Sequence, residues 1–352
     1  MKLWNIYHED IPVFLQKAME TPAMQRLQHI GMNCGCEYTQ FPLFSMCEPY
    51  SRYDHSVGCA LIVWHFTKDK AQSLAALFHD IATPTFAHVV DFAKGDYLQQ
   101  ESTESQTASL IRNSPELKAL LDEYAISYEA VEDYHIYPIA DNSSPKLCAD
   151  RLEYTLGNAV NYQFLTPPQA REIFNDLHIG INEYGEEELI FHSPEIATIF
   201  APTALQCGKV YVSDPDRYAM QILSEILADA LISGVLCDDD LYTTEQIVIH
   251  KLSSSNCGHR RQTFCHRKEI IVAESPLTEE AWRCIPAKKR YIDPYIAHNG
   301  RTSVAFPEFR MLVEEFLSAP QTYWILGKKH MPSRMAGLST YIKQKTTFLF
   351  ML

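Results

Sequence analysis

The sequence has no uninterrupted apolar run long enough to cross a bilayer, and its first ten residues turn acidic before any secretory hydrophobic segment develops. We therefore expect a cytoplasmic protein that does not insert into membranes. Internal repeats, low-complexity tracts and an obvious linker are also missing. With 352 residues and 46% hydrophobic content, the chain is long enough to bury a large core.

The ten cysteines do not form the spacing of a disulfide framework or of a standard zinc finger. Because they are scattered through a long chain without a secretory leader, we expect reduced thiols. Cys34 and Cys36 stand closer together than the usual zinc pairs. Four further possible ligands fall within ten positions: Cys257, His259, Cys265 and His266. A second zinc site at these four residues is the alternative to a polar loop with incidental thiols.

The formal charge of −14 is unevenly distributed along the chain. Residues 251–352 contain 16 Lys and Arg against 8 Asp and Glu, a balance of +8, whereas residues 1–250 contain 14 against 36, a balance of −22. Because acidic surfaces repel nucleic acid, we do not expect a nucleic-acid partner. The basic end could meet phosphates or the acidic face of another subunit, although each short basic run taken alone is typical of a solvated loop.

Hydrophobic spacing predicts helices over much of the first half of the chain. Residues 11–31 have helical spacing, with Thr21 expected to cap a second helix that begins at Pro22. Further helices are expected after Asp54, up to His79, over 110–124 and from residue 147. Residues 38–50 and 138–145 are expected to form loops, the first of them on the surface.

The second half of the chain has a different hydrophobic pattern. Alternating runs at 178–181 and 188–192 predict strands around a turn at Gly185, and residues 215–234 predict an amphipathic helix. From residue 251 onward we expect mixed strands and loops, with one helix near 307–318. The sequence therefore predicts a mainly α fold: a helical core over residues 1–175 and a smaller helical and mixed α/β extension over 176–352, packed on that core.

Four residues stand out as candidate metal ligands: His55, His79, Asp80 and Asp150. His79 and Asp80 end an apolar helical run, and neighbouring helical residues point about 100° apart, so both could ligate one ion while the apolar residues face the core. An isolated His-Asp pair is more often a helix end with a solvated aspartate, so the partners must come from elsewhere. Two imidazoles and two carboxylates suit a borderline or hard divalent cation and leave positions open for water and a phosphate oxygen.

The motifs around these residues resemble the HD-domain phosphohydrolases, whose metal ligands follow the order His, His-Asp, Asp in an all-α core. Six segments look like the deoxynucleoside triphosphate triphosphohydrolase branch in order and spacing: 21–27, 41–42, 51–58, 76–81, 86–88 and 150–154. Together they cover residues 20–160. The C-terminal half resembles the family only loosely.

The resemblance implies that His55, His79, Asp80 and Asp150 hold a divalent ion, which could be Mn, Fe, Ni, Zn or Mg. It also implies that Arg52, Arg151 and Tyr154 contact phosphates or sugar, since arginine can clamp phosphate with two hydrogen bonds. The implied activity is hydrolysis of a nucleotide or a related small phosphate ester by attack of metal-bound water. A homo-oligomer is expected, because the family commonly assembles and the charges of the two halves are complementary.

The sequence departs from the branch at several positions of the expected substrate pocket. Thr83 stands where the branch has a histidine, and Gln100 stands where it has a catalytic histidine, which leaves Gln100 as a candidate substrate contact. Glutamine cannot carry a proton to a leaving group. The candidate catalytic residues are therefore His88 and Glu101 together with Asp80, and Glu104 is a further alternative.

Other departures are Met32-Asn33 and Asn158. All of them leave the metal ligands intact, so the resemblance supports metal binding more strongly than cleavage of a deoxynucleoside triphosphate.

A second function remains open beside hydrolysis. A metal- and nucleotide-binding regulatory protein with weak or no hydrolysis would also explain Thr83 and Gln100. Other HD branches fit less well: the signalling-nucleotide hydrolases would have an acidic pair soon after His-Asp, and the Gly-Tyr-Pro signature of the cyclic-dinucleotide branch is absent. A purely structural helical protein would leave the ordered ligands to coincidence.

Overall fold

The structure, a computed structural model, describes residues 3–90, 106–277, 281–321 and 323–327. Most of these residues are helical, and the strands are short. The α-helices are α1 Trp4–Tyr7, α2 Val13–Met19, α3 Pro22–Arg26, α4 Pro42–Ser45, α5 Arg52–Thr67, α6 Lys70–Phe78, α7 Thr107–Asn113, α8 Pro115–Tyr124, α9 Ala149–Asn161, α10 Pro167–Asn175, α11 Pro194–Tyr211, α12 Asp214–Ile232, α13 Glu245–Ser253, α14 Cys257–Cys265, α15 Thr302–Ala305 and α16 Pro307–Ser318. The strands are β1 Leu177–Ile181, β2 Glu187–Phe191, β3 Ile270–Ala273, β4 Tyr295–Ile296, β5 Gly300–Arg301 and β6 Trp324–Gly327, and five 3-10 turns lie at Leu27–His29, Cys36–Tyr38, Tyr128–Ala130, Tyr134–Ile136 and Asp238–Tyr242.

Helix α5 lies at the centre of the helical part. Ser51 begins it with a capping box, in which the Ser51 hydroxyl accepts the backbone N–H of Asp54 at 3.1 Å and the Asp54 carboxylate accepts the N–H of Ser51 at 3.3 Å. Every residue from Arg52 to Val63 is buried, as expected for a helix surrounded by others. Helices α6 and α9 pack against it.

Helix α6 brings the His-Asp pair to this centre. Asp69 caps its N-terminus by accepting the N–H of Gln72 at 3.1 Å, and its residues from Ser73 to Phe78 are buried. The helix ends at Phe78, so that His79 and Asp80 follow directly at its C-terminal end. The prediction of an apolar helical run ending at the pair is confirmed.

Two small sheets make up the mixed part of the chain. Strands β1 and β2 form an antiparallel hairpin around Gly185, which has a φ of +80°, and β4 and β5 extend this sheet beyond β2. The buried Glu188 of β2 accepts two hydrogen bonds from Arg301, at 2.6 and 2.7 Å, and one from the N–H of Leu147 at 2.9 Å. Glu188 thereby connects the sheet to the segment that leads into α9.

One large hydrophobic core contains buried side chains from Leu3 to Ile325, so both halves of the chain contribute to it. A smaller cluster, between α11 and α16, consists of Ala201, Leu205, Phe309, Val313 and Phe316. The mainly α class with a smaller mixed α/β portion is confirmed. The division into 1–175 and 176–352 stays a prediction. Across the described ranges, no helix has both the length and the hydropathy needed to cross a bilayer.

Several predicted elements differ from the structure. The helical spacing over 11–31 is divided between α2 and α3, and Thr21 does not cap α3 with its side chain, because its hydroxyl donates instead to the carbonyl of Ala18 at 2.7 Å. Residues 38–50 are only partly the expected surface loop: residues 45–49 are exposed or half-buried, but the segment contains α4, and Phe41 and Phe44 are buried. Their aromatic side chains enter the core although the segment lacks a hydrophobic period. Ser114 and Pro115 divide 110–124 into α7 and α8.

The start of the C-terminal part is helical where strands and loops were expected. Helices α13 and α14 occupy 245–265, and Cys257 and Cys265 lie at the two ends of α14. Neither cysteine belongs to a group of potential ligands close enough to share an ion among the described residues. The second zinc site is therefore not supported, and all ten cysteines are free.

Candidate metal centre

Three helices place the four predicted ligands together: His55 in the first turn of α5, His79 and Asp80 after α6, and Asp150 in the first turn of α9. Nε2 of His55 lies 3.2 Å from Nε2 of His79 and 3.0 Å from Oδ1 of Asp150. Nε2 of His79 lies 3.6 Å from both Oδ2 of Asp80 and Oδ1 of Asp150. Two imidazole nitrogens and two carboxylate oxygens thus face one point, although the first and last of the four residues, His55 and Asp150, are 95 positions apart in the chain.

The other nitrogen of each ring also has a polar partner. Nδ1 of His79 lies 2.7 Å from the carbonyl oxygen of Ala76, and Nδ1 of His55 lies 2.6 Å from Oε2 of Glu153. With a proton on Nδ1 of each ring, both Nε2 lone pairs would face the shared point, and this is the form that binds a cation. Histidine ligands of metals are oriented in this way, by a carbonyl or carboxylate on the remaining nitrogen.

This donor set fits a divalent cation. Two lone pairs 3.2 Å apart would repel each other, and a positive ion between them and the carboxylates removes this repulsion. The separations of 3.0 to 3.9 Å match the spacing of ligands around an ion with bonds of about 2.0–2.2 Å. Imidazole with carboxylate accommodates several ions, and the set does not choose among Mn, Fe, Ni, Zn and Mg.

The carboxyls of both predicted aspartate ligands have pKa values below their usual range. Burial opposes ionisation of Asp80, but Arg52, His79 and His55 outweigh it and hold the pKa of this carboxyl well below its usual range. Burial likewise opposes ionisation of Asp150, whose pKa is nevertheless lowered to about 2 by the hydrogen bond from His55 and by neighbouring positive charge. The charged form is the one that binds a cation.

The carboxylate of Asp80 is held from both sides. Nη1 of Arg52 donates to Oδ2 at 3.0 Å, and the hydroxyl of Thr83 donates to Oδ1 at 2.8 Å. Arg52 is itself buried, and its Nε has no hydrogen-bond partner within the part of the chain that the structure describes. The predicted substrate contact Arg52 therefore lies directly beside Asp80, a predicted metal ligand.

Arg26 fastens the turn that carries Asp80. Its Nη2 donates to the carbonyls of Ile81 and Thr83 at 3.0 and 2.8 Å, and its Nη1 donates to the carbonyl of Thr243 at 3.3 Å. Further along, the N–H of Phe86 donates to Glu245 at 3.2 Å, and Phe86 has a φ of +61°. A non-glycine residue in this left-handed region is strained. The hydrogen bonds that reach Thr243 and Glu245 stabilise the turn in this conformation.

The remaining predicted residues occupy different surroundings. The ring of Tyr154 lies 6.5 Å from that of His55 and 6.2 Å from that of Tyr211, at the edge of the metal cluster. The guanidinium of Arg151 donates to Asn142 at 2.9 Å and to Cys148 at 2.8 Å, so it ties the preceding loop to the start of α9.

His88 lies partly exposed in the turn after Phe86. Gln100, Glu101 and Glu104 lie outside the described residues. The roles predicted for these residues and for Arg151 stay predictions.

Two residues of the cluster were missed by the sequence argument. Glu153 lies one turn after Asp150 on α9, and a Cβ atom added to Gly58 would lie 2.5 Å from its side chain, so the glycine permits this close approach of α5 and α9. Cys59 lies one turn after His55, with Sγ 3.6 Å from Nδ1 of that ring. Burial raises the pKa of the Cys59 thiol. Its sulfur nevertheless belongs, with donor atoms of His55, His79 and Asp150, to a group whose members all lie within 4.8 Å of one another. The four-residue spacing from His55 was the available signal for Cys59.

A comparison with models of known protein families finds no match. A protein of Cordyceps militaris named metal-dependent phosphohydrolase cns2 is 29% identical over 306 residues, which cover 86% of each chain. The uncharacterized protein YdhJ of Bacillus subtilis is 24% identical over 207 residues, 58% of this chain and 62% of that protein.

A crystal structure of a phosphohydrolase from Bacteroides thetaiotaomicron superposes with a TM-score of 0.60 and 15% identity, covering 90% of this chain and 96% of that one. This likeness concerns the fold. The chain is thus similar over most of its length to a protein named as a metal-dependent phosphohydrolase, and it has the fold of another phosphohydrolase.

Proposed function

We propose that this chain is a metal-dependent phosphohydrolase that acts on a nucleotide or a related small phosphate ester. The observation that carries the proposal is the convergence of His55, His79, Asp80 and Asp150, with Nδ1 of the two histidines held by Glu153 and the Ala76 carbonyl. The name of the Cordyceps militaris relative supports the same reaction class.

The chemistry that a bound divalent ion supplies is a lowered pKa for water and stabilisation of negative charge on phosphoryl oxygens. The protein's own contribution is orientation. Arg52 holds Asp80 and presents a buried guanidinium beside it, where a second charge-assisted hydrogen bond can reach a phosphate oxygen. Arg52 therefore both orients a ligand and is the leading candidate for the phosphate contact.

A nucleoside substrate is supported by the aromatic edge of the site. Tyr154 and Tyr211 lie next to each other beside His55, and tyrosine rings can stack on a base or hydrogen-bond to a sugar. Asn158 donates to the Tyr211 hydroxyl at 2.9 Å and fixes that ring. This side of the cluster is where we place the nucleoside, with the phosphate toward Arg52. Self-association of the chain is a further proposal, supported by the opposite charges of its two halves.

The test combines metal analysis with a substrate screen. The purified protein is loaded with Mn, Fe, Ni, Zn or Mg and offered nucleoside mono-, di- and triphosphates and p-nitrophenyl phosphate, and the release of phosphate or pyrophosphate is measured. We expect turnover that depends on the metal and that the double variant H79A/D80A abolishes. Turnover that persists in the metal-free double variant overturns the proposal. Tight nucleotide binding without any product supports the regulatory alternative instead.

A further inference from the structure

A loop between α8 and α9 lies against the metal cluster and contains His135, whose imidazole has no role in the function proposed above. The ring of Tyr134 lies 5.0 Å from the ring of the metal ligand His79, and the ring of His135 lies 4.3 Å from that of Tyr134. The side chain of His135 is 50% exposed, whereas that of His79 is 6% exposed. His135 is therefore one ring away from a metal ligand and at the boundary with solvent.

Both ring nitrogens of His135 face carboxylates. Nδ1 lies 2.8 Å from Oδ1 of Asp133, and Nε2 lies 3.5 Å from Oδ2 of Asp141. Oδ1 of Asp133 also accepts the backbone N–H of His135 at 3.0 Å, so this carboxylate is fixed relative to the ring. With an acceptor at each nitrogen, the ring can carry two protons, and Asp133 holds the one on Nδ1.

The second carboxylate places Nε2 on the side of the metal cluster. Asp141 forms a group with Cys148 and Asp150 in which one donor atom of each residue lies within 4.8 Å of the others. The guanidinium of Arg151 lies inside this group, 3.2 Å from Asp141 and 2.8 Å from Cys148, so a second cation is not expected there. The Nε2 proton of His135 thus points toward a carboxylate that borders the ligand Asp150.

The proposed reaction needs such a proton. When the bond between phosphorus and the ester oxygen breaks, its electron pair stays on the departing oxygen, and an alkoxide leaves slowly unless it is protonated. Thr83 and Gln100 do not serve, because neither a hydroxyl nor an amide is acidic enough near neutral pH to protonate the departing oxygen. Imidazolium is the side chain best suited to this task near neutral pH.

We propose that His135 is the general acid, a role that rests on the function proposed above. Nε2 of His135 donates its proton to the departing ester oxygen as the bond from phosphorus to that oxygen breaks and a new bond forms to the oxygen of water. Asp133 holds the ring through Nδ1. The proton that the attacking water loses returns to solvent, and the exposed ring takes up a proton from solvent for the next turnover, so that ester and water become alcohol and phosphate.

Two substrates with different leaving groups test the role. p-Nitrophenolate leaves without protonation, whereas the 5′ alkoxide of thymidine 5′-monophosphate requires it. We expect H135Q, with its metal content unchanged, to lose about 10²–10⁴-fold in kcat on thymidine 5′-monophosphate and less than about threefold on p-nitrophenyl phosphate. H250Q, at an exposed histidine of α13, is the matched control and keeps both activities.

The outcomes separate the two proposals. Equal losses on both substrates, or no loss on either, overturn the role of His135 while the phosphohydrolase stands. If the metal-loaded wild-type protein hydrolyses neither of these nor any other phosphate ester, the proposed function fails, and the role of His135 fails with it. A D133N variant provides a second check: it keeps the imidazole but weakens its anchor, and we expect it to repeat the selective loss on the nucleotide to a smaller degree.

Discussion

The hydroxyl of Thr83 donates a hydrogen bond of 2.8 Å to Oδ1 of Asp80. In the triphosphohydrolase branch that the sequence resembles, a histidine stands at this position. Threonine has a single hydroxyl hydrogen, and here that hydrogen is donated to the predicted metal ligand Asp80. The substitution therefore replaces a group that could transfer a proton with one that orients the ligand.

Removing this hydroxyl should loosen the metal. We expect T83V to bind a divalent ion about 10–100-fold more weakly, because a hydrogen bond to a charged group is worth about 1.5–3 kcal/mol. T83S keeps the hydroxyl and should bind as the wild type does. Competition against a chromogenic chelator measures both affinities, and equal affinities for the two variants would contradict this role.

Glu153 should be needed for metal affinity although it does not face the shared point. E153Q keeps the size of the side chain but removes the charge that holds the Nδ1 proton of His55. Loss of such a partner typically weakens binding by about 10–100-fold. The control is E172Q, at an exposed position of α10. Isothermal titration with Mn²⁺ measures the effect, and a wild-type affinity in E153Q would exclude it.

Arg52 should be irreplaceable by lysine. R52K retains a positive charge near Asp80 but lacks the planar fork that can bind the carboxylate and a phosphate together. We expect KM for the phosphate ester, and the inhibition constant for inorganic phosphate, to rise by about tenfold or more while bound metal is retained. An unchanged inhibition constant would remove Arg52 from the phosphate site.

A buried pair of carboxyls should make the protein less stable at high pH. Burial, followed by the charge of Glu245, raises the pKa of Glu37 to about 8, and burial raises the pKa of Glu245 as well. In the unfolded chain a glutamate titrates near its usual value of about 4.3. Between that value and about 8 the folded state binds more protons than the unfolded state, so stability is fully present below the unfolded pKa and falls as the pH rises.

Urea unfolding between pH 5 and pH 9 measures this dependence. E37Q cannot ionise at this position and should flatten the decline, whereas E20Q, at an exposed glutamate, should leave it as in the wild type. A free energy of unfolding that rises with pH over this range would refute the assignment.

The convergence of the four predicted ligands could be expected from the sequence, because each of them lies at a helix end. A histidine in a first helical turn, a His-Asp pair where an apolar run stops and an aspartate opening another helix are visible in the sequence without knowledge of the fold. The strands around Gly185 and the helix at 307–318 were visible for the same reason, since alternation and helical spacing are local.

What the sequence could not predict depends on contacts between distant segments. Phe41 and Phe44 enter the core without a periodic pattern, because neighbouring helices receive them. The position of His135 beside the cluster depends on how the 24-residue connection between α8 and α9 folds back over His79, which no spacing rule predicts. The role of Glu153 likewise depends on how closely α5 approaches α9 at Gly58.

The hydrogen bonds of Arg26 affect how the protein unfolds. Its guanidinium joins the turn after Asp80 to the backbone at Thr243, and the same turn is joined to the helix at 245–253 through Glu245. Hydrogen bonds therefore connect the turn after Asp80 to this helix, although about 160 residues separate them in the chain. Release of a bound ion and melting of the helix should occur in one cooperative transition, so that a chelator lowers the melting temperature of both.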